Sequence, residues 1–191
     1  MWAAANFLDW KREQTVFSDL QLMGYAWLRL GAEQLQAARV GTGLFDLLGV
    51  SAALGRTFRV EDEGQKVLLL SDAVWRHKFG GDPNVVGRTI QVGDSGQYTI
   101  LGVLRRDFFF YLNDFELWIP LSLSQEETTD RNLRNLFAVG RLKETVSTDA
   151  ASAALNAKAD TIAISHPDTN RNWGIQVVPV RTQFTWFIRP S

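Results

Sequence analysis

Apolar positions change their spacing several times along this chain, and each change marks an element. Residues 67–70 are four apolar side chains in a row between polar neighbours, which predicts a short buried strand. Ser71 follows with a hydroxyl suited to cap a helix, and Val74, Trp75 and Phe79 then share one helical face. Gly80-Gly81 ends that helix. Asp82-Pro83 and Gly87 redirect the chain into two strands that turn at Gly93-Asp94-Ser95-Gly96.

The flanking segments have their own periods. Residues 6–14 read as a short helix with Asn6 as its cap and Phe7, Leu8 and Trp10 inward. Residues 21–30 alternate so that Leu22, Ala26, Leu28 and Leu30 share a face, and after the turn at Gly31-Ala32-Glu33 residues 35–40 pair back as a hairpin. Residues 43–48 form a brief apolar helix stopped by Gly49 in the left-handed region. Glu61-Asp62-Glu63-Gly64 reads as a solvated turn, and Glu116-Leu-Trp-Ile-Pro120 as a short strand halted by its proline. Residues 124–134 are polar, a loop or a single helical turn, and residues 136–142 are a strand. Ser147 caps the longest helix, with Ala151, Ala154, Leu155, Lys158 and Ile162 at helical spacing, and His166-Pro167 closes it. Residues 172–180 read as a closing strand with Ile175 and Val177 on one face, followed by an apolar tail at 184–189.

This order predicts an α+β chain in two lobes: residues 1–50 with 122–191 as one, and residues 51–121 as a smaller inserted one. At 191 residues and 46% hydrophobic content the chain can bury one full core or two small ones. Its formal net charge of −1, from 20 basic and 21 acidic side chains, sets up no field for polyanions, so nucleic acid is not an expected partner. Absence of cysteine excludes disulfides, thiolate zinc sites and a catalytic thiol. The longest apolar runs fall far short of the roughly 20 residues that span a bilayer. The start carries neither the basic end nor the apolar stretch of a signal peptide, which leaves a cytosolic protein or a piece of a longer one.

Candidate chemistry is sparse. His77 and His166 have no second ligand at metal-face spacing, so no metal is expected; His77 reads as a solvent-facing helix residue and His166 as a complement to a helix C-terminus. The carboxylate pairs Asp62-Glu63 and Glu126-Glu127 read as solvated faces. Gly41-Thr-Gly43 lacks the third glycine of a dinucleotide fingerprint and reads as a helix entry. No catalytic residue and no cofactor are expected. Arg56 and Arg88 stand in matching contexts, Leu54-Gly-Arg-Thr-Phe58 and Val86-Gly-Arg-Thr-Ile90, which favours a structural tie to a carboxylate or carbonyls, with anion binding as the sharper idea. Along Phe108-Phe109-Phe110-Tyr111, alternation buries every second ring and sends Phe109 and Tyr111 to the opposite face, open either to packing between lobes or to a partner. Gly49, Gly80, Gly81 and Pro83 are assigned structural roles.

Taken in order, Phe7-Leu-Asp-Trp-Lys11, Leu44-Phe-Asp-Leu-Leu-Gly-Val50, Leu54-Gly-Arg-Thr-Phe58, Phe79-Gly-Gly-Asp-Pro83, Val86-Gly-Arg-Thr-Ile90, Tyr98-Thr-Ile-Leu-Gly-Val103, Leu117-Trp-Ile-Pro-Leu121, Gly140-Arg-Leu-Lys143, Pro167-Asp-Thr-Asn170 and Trp173-Gly174 resemble the MacB-type periplasmic core domain of ABC transporter permeases. The resemblance implies an extracytoplasmic domain between the first two transmembrane helices of an inner-membrane permease. It implies a porter-like lobe from the chain ends and a non-catalytic role, relaying movement from a cytoplasmic ATPase to a periplasmic adaptor, a substrate or a dimer mate. Flanking transmembrane helices and an ATPase subunit or domain are the implied partners. A stand-alone extracytoplasmic domain that binds a ligand or peptide is the alternative, and it requires a deep, mostly apolar pocket. A hydrolase built on two carboxylates requires them to converge across a cleft.

Overall fold

Hydroxyl caps and left-handed glycines set most element ends in the computed structural model, which describes residues 1–110 and 115–180. From the N-terminus, β1 (Trp2–Ala3) runs into α1 (Ala4–Glu13), whose last turn carries Lys11 and Arg12 at the negative end of the helix dipole. β2 (Phe17–Leu30) and β3 (Glu33–Val40) form a hairpin in which Leu30 faces Glu33, leaving Gly31-Ala32 as a two-residue turn. Then come α2 (Leu44–Leu48), β4 (Ala52–Gly55) and β5 (Val67–Leu70). α3 (Asp72–Phe79) starts where Ser71 Oγ accepts the Val74 N–H at 3.2 Å and stops at Gly80, φ 62°. β6 (Thr89–Val92), β7 (Gly96–Leu104) and β8 (Leu117–Pro120) follow. α4 (Gln125–Thr129) has a reciprocal cap: Ser124 Oγ accepts the Glu127 N–H at 3.1 Å while the Glu127 carboxylate accepts the Ser124 N–H at 3.0 Å. β9 (Arg134–Leu142), α5 (Thr148–Ser165), capped by Ser147, and α6 (Pro167–Asn170) complete the described chain.

Two compact units result, one made of Gln21–Ser122 and the other of Met1–Leu20 with the described residues from Leu123 onward. In the first, the strands run in the order β2, β3, β8, β5, β7, β4, with β6 also on β7. The sheet is mixed: β8 is parallel to β3 and antiparallel to β5, and β5 is parallel to β7. Both faces of its centre are buried. One face holds Leu28, Leu35, Leu68, Leu70, Ile100 and Leu117, covered by Val74, Trp75 and Phe79 of α3. Side chains of successive strand residues point oppositely, so Trp118 and its neighbour across the ladder, Leu69, belong to the other face. There the Trp118 ring meets Phe45, Phe108 and Phe115 at centroid distances of 5.4, 5.5 and 5.1 Å. This explains why β5 and β8 read as continuous apolar runs rather than as alternations.

The other unit pairs β9 with β1 and with the start of β2. α1 buries Ala4, Ala5, Phe7 and Trp10, and α5 buries Ala151, Leu155 and Ile162. Several local expectations change here. Leu8 is exposed and Asn6 lies inside α1 rather than capping it, because the helix begins at Ala4, directly after β1. Ala154 is exposed on α5. Residues 172–179 form no strand. Among the described residues no neighbouring backbone supplies a ladder: the side-chain amide of Asn156 takes that place, its Oδ1 accepting the Ile175 N–H and its Nδ2 donating to the Ile175 carbonyl, both at 2.9 Å. The apolar tail at 184–189 lies outside the described residues.

Trp118→Ala removes the ring against which the aromatic face is packed and is expected to cost about 3–5 kcal/mol in urea unfolding, whereas Trp27→Ala should stay within about 0.5 kcal/mol. Trp27 is 62% exposed, so equal losses would contradict the packing described.

Candidate functional site

Arg56 and Asp62 form the most ordered polar group of residues 21–122. The Arg56 guanidinium donates from Nη1 and Nη2 to the two carboxylate oxygens of Asp62, at 2.6 and 2.9 Å, and from Nη1 to the Thr57 carbonyl at 3.0 Å. The Arg59 N–H adds a third donor to Asp62, at 2.8 Å. Asp62 is buried while Glu61 and Glu63 are exposed, which corrects the solvated-turn reading at that one residue. A turn spanning 60–62 brings the carboxylate inward, and the guanidinium offsets its desolvation. The hydrogen bond from Arg56 holds the Asp62 carboxyl below the usual carboxylate range, against the opposing effect of burial, with the Arg59 N–H assisting. The same bond raises Arg56.

Arg88 sits differently despite its matching context. It pairs with Asp82 at 3.3 Å in an exposed position and lies 5.7 Å over the Phe79 ring. Asp82 also orders its turn: its Oδ1 accepts the Asn84 N–H at 2.9 Å, Pro83 opens the helical turn at 83–85, and the Asp82 carbonyl accepts Trp75 Nε1 at 2.9 Å. Gly80 and Gly81, at φ 62° and 70°, supply the left-handed residues that turn α3 back beneath the Trp75 ring; Gly49, at φ 71°, ends α2.

The aromatic run divides. Phe108 and Phe110 stack nearly parallel, 6.4 Å apart, and both meet the Trp118 face. Phe109 is 47% exposed. Tyr111 lies outside the described residues.

Elsewhere the chemistry is structural. Gly41 and Gly43 flank the Gln21 side chain so closely that a Cβ at either would fall 2.3 or 2.6 Å from it, which accounts for that glycine pair without a nucleotide. His77 and His166 are both exposed, and among the described residues no three His, Asp or Glu side chains gather as a metal site. Glu127, expected on a solvated face, is buried because it serves the α4 cap. An open cleft of about 560 Å³ is lined by Asp9, Asp130, Arg131 and His166, yet Asp9 already accepts from Arg12 and Arg131, and Asp130 accepts the Asn132 N–H. Beside it, Arg131 donates to Asn6 at 2.6 Å, Asn6 donates to Asn170 at 2.6 Å, and Arg134 lies 4.0 Å over the Trp173 ring. Asn170 and Trp173 are the distinctive residues of the final two sequence motifs, and both act as ties within this unit.

A model of the MacB-like periplasmic core domain matches residues 14–158. The chain belongs to that family. The macrolide export ATP-binding/permease protein MacB of Chromobacterium violaceum is 31% identical over 120 residues, a match covering 62% of this chain and 18% of that protein, so the chain spans under a fifth of its curated relative. Three solved structures share the fold. A domain of a putative permease from Porphyromonas gingivalis aligns at TM-score 0.66 and 15% identity, over 98% of this chain and 91% of that one. The extracellular domain of the noncanonic ABC-type transporter YknZ from Gram-positive bacteria gives 0.59 and 15%, over 84% and 82%. The periplasmic region of MacB from Actinobacillus actinomycetemcomitans gives 0.58 and 16%, over 87% and 74%. The fold is α+β, and no described helix is long and apolar enough to cross a membrane.

Sequence reading singled out Arg56 and missed Asp62 as its acceptor. The signal was present: Asp62 is the only acid of its run placed three residues after Arg59, the spacing at which a side chain caps a turn's first N–H. Since Asp62 titrates lower folded than unfolded, its contribution is complete above the unfolded carboxylate pKa of about 4 and is lost as pH falls through the folded value. Asp62→Asn should therefore destabilise by about 1–3 kcal/mol at pH 7, and the gap from the parent should close toward pH 2 in urea titrations. A gap independent of pH would show that charge is not what Asp62 contributes.

Proposed function

We propose that this domain is the extracytoplasmic, non-catalytic part of an inner-membrane ABC permease, relaying conformational change from a cytoplasmic ATPase to a partner or substrate outside the membrane. The observation that carries the reading is the family match across residues 14–158, and a molecule whose charged side chains are spent on internal ties is consistent with it. In this reading the domain sits between transmembrane helices, with a porter-like lobe built from the chain ends. It moves as a stiff body, so that a small displacement at the membrane becomes a larger one at the far end. The two clefts of about 560 and 850 Å³ are open, unlike the enclosed apolar pocket that a small-ligand receptor builds.

Contact with a periplasmic adaptor or a dimer mate falls to the aromatic run, through the exposed ring of Phe109, while Phe108 and Phe110 support it from the core. The relay is tested in the complete permease with its ATPase, carrying a spin label on Asp94→Cys, an exposed turn residue. The distance between labels on two copies should change between nucleotide-free and ATP-trapped states; identical distributions would contradict the relay. Phe109→Ser should weaken adaptor capture at least about tenfold while changing unfolding free energy by less than about 0.5 kcal/mol. An equal loss of stability would assign Phe109 to the core instead.

A further inference from the structure

The strand at the end of the sheet in residues 21–122 has an unused edge with a built groove along it. β7 carries β5 on one side and, in succession, β6 and β4 on the other. No strand among the described residues pairs with the far edge of β4. Such an edge presents backbone N–H and C=O groups free to bond another chain. Here the edge runs beside a helix: Ala52, Ala53 and Leu54 of β4, with Asp72, Trp75 and Arg76 of α3 and Arg105-Arg106-Asp107 beyond β7, line an open groove of about 850 Å³. A groove between an edge strand and a helix is the arrangement by which extended peptides are captured through strand addition.

Charge decides the occupant. Three arginines and two aspartates line the groove, and two pairs form, Arg76 with Asp72 at 2.9 Å and Arg105 with Asp107 at 3.1 Å, so the lining keeps one positive charge in excess. Arg106 is exposed and has no carboxylate partner among the described residues. Arg76 also lies 5.1 Å over the Trp75 ring, leaving a cation and an aromatic face side by side at the groove wall. A second copy of β4 laid on this edge would bring together two grooves that each carry the same excess positive charge, which disfavours self-association. An acidic segment meets no such repulsion.

We propose that the free edge of β4 captures an extended, acidic segment of another protein by strand addition, a carboxylate of it reaching Arg106 and one of its side chains resting on Trp75. The proposal stands whether or not the domain relays motion.

The test uses a short fluorescein-labelled peptide alternating glutamate with valine, its counterpart with lysine in place of glutamate, and amide NMR shifts on the domain. The glutamate peptide should bind saturably, with shifts concentrated at residues 52–55 and at the Trp75 indole. The lysine peptide should bind at least about tenfold more weakly. Arg106→Glu should weaken the glutamate peptide about tenfold without moving the unfolding midpoint, since Arg106 is exposed and holds no carboxylate among the described residues. Absence of saturable binding, equal affinity for the two peptides, or shifts confined to other strands would each overturn the proposal.

Discussion

The structure of residues 21–122 depends on β8 having neighbours on all four sides. Its backbone bonds to β3 on one edge and β5 on the other, and its side chains enter a core on each face. Leu117 and Ile119 pack on the helix-covered face, Trp118 fills the aromatic face, and Pro120 ends the strand where its missing N–H falls beside the last residue of β3. Because β3, β5 and β8 are far apart in sequence, none of this forms until distant segments meet, and most of the apolar burial of the unit is gained in that one step.

What was legible in the sequence was what is decided locally. The 67–70 strand, the Ser71 cap, the glycine stops after α2 and α3, the hairpin turn at Gly31 and the Ser147 cap all rest on neighbouring residues, and the α+β class follows from their order. Strand order was not legible, since a run such as Leu-Trp-Ile-Pro says that both faces are buried but not which strands flank it. Residues 172–179 show the limit from the other side. Their alternation is real, yet a strand also needs a partner's backbone, and among the described residues the Asn156 side-chain amide stands in for one.

The polar residues were half legible for a similar reason. Arg56 stood out because glycine precedes it in a repeated context, but context could not show that Arg56 is tied to a buried carboxylate while Arg88 pairs in solvent over a phenylalanine ring. Likewise the four-ring run shows alternation, and only the packing shows that Phe108 and Phe110 continue the core around Trp118. A common character emerges across the chain. Its arginines, asparagines and conspicuous glycines hold one segment against another, and the surface left over is aromatic at Phe109 and cationic beside β4.

The relay proposed for this domain requires that the sheet not come apart strand by strand. Native-state amide hydrogen exchange across β3, β5, β7 and β8 tests this most directly, by measuring the opening free energy of each ladder under increasing denaturant. A sheet held by one shared pair of cores predicts a single opening energy for all four strands, equal to that of global unfolding. An independent, lower-energy opening of β8 from β3 or β5 would contradict the account.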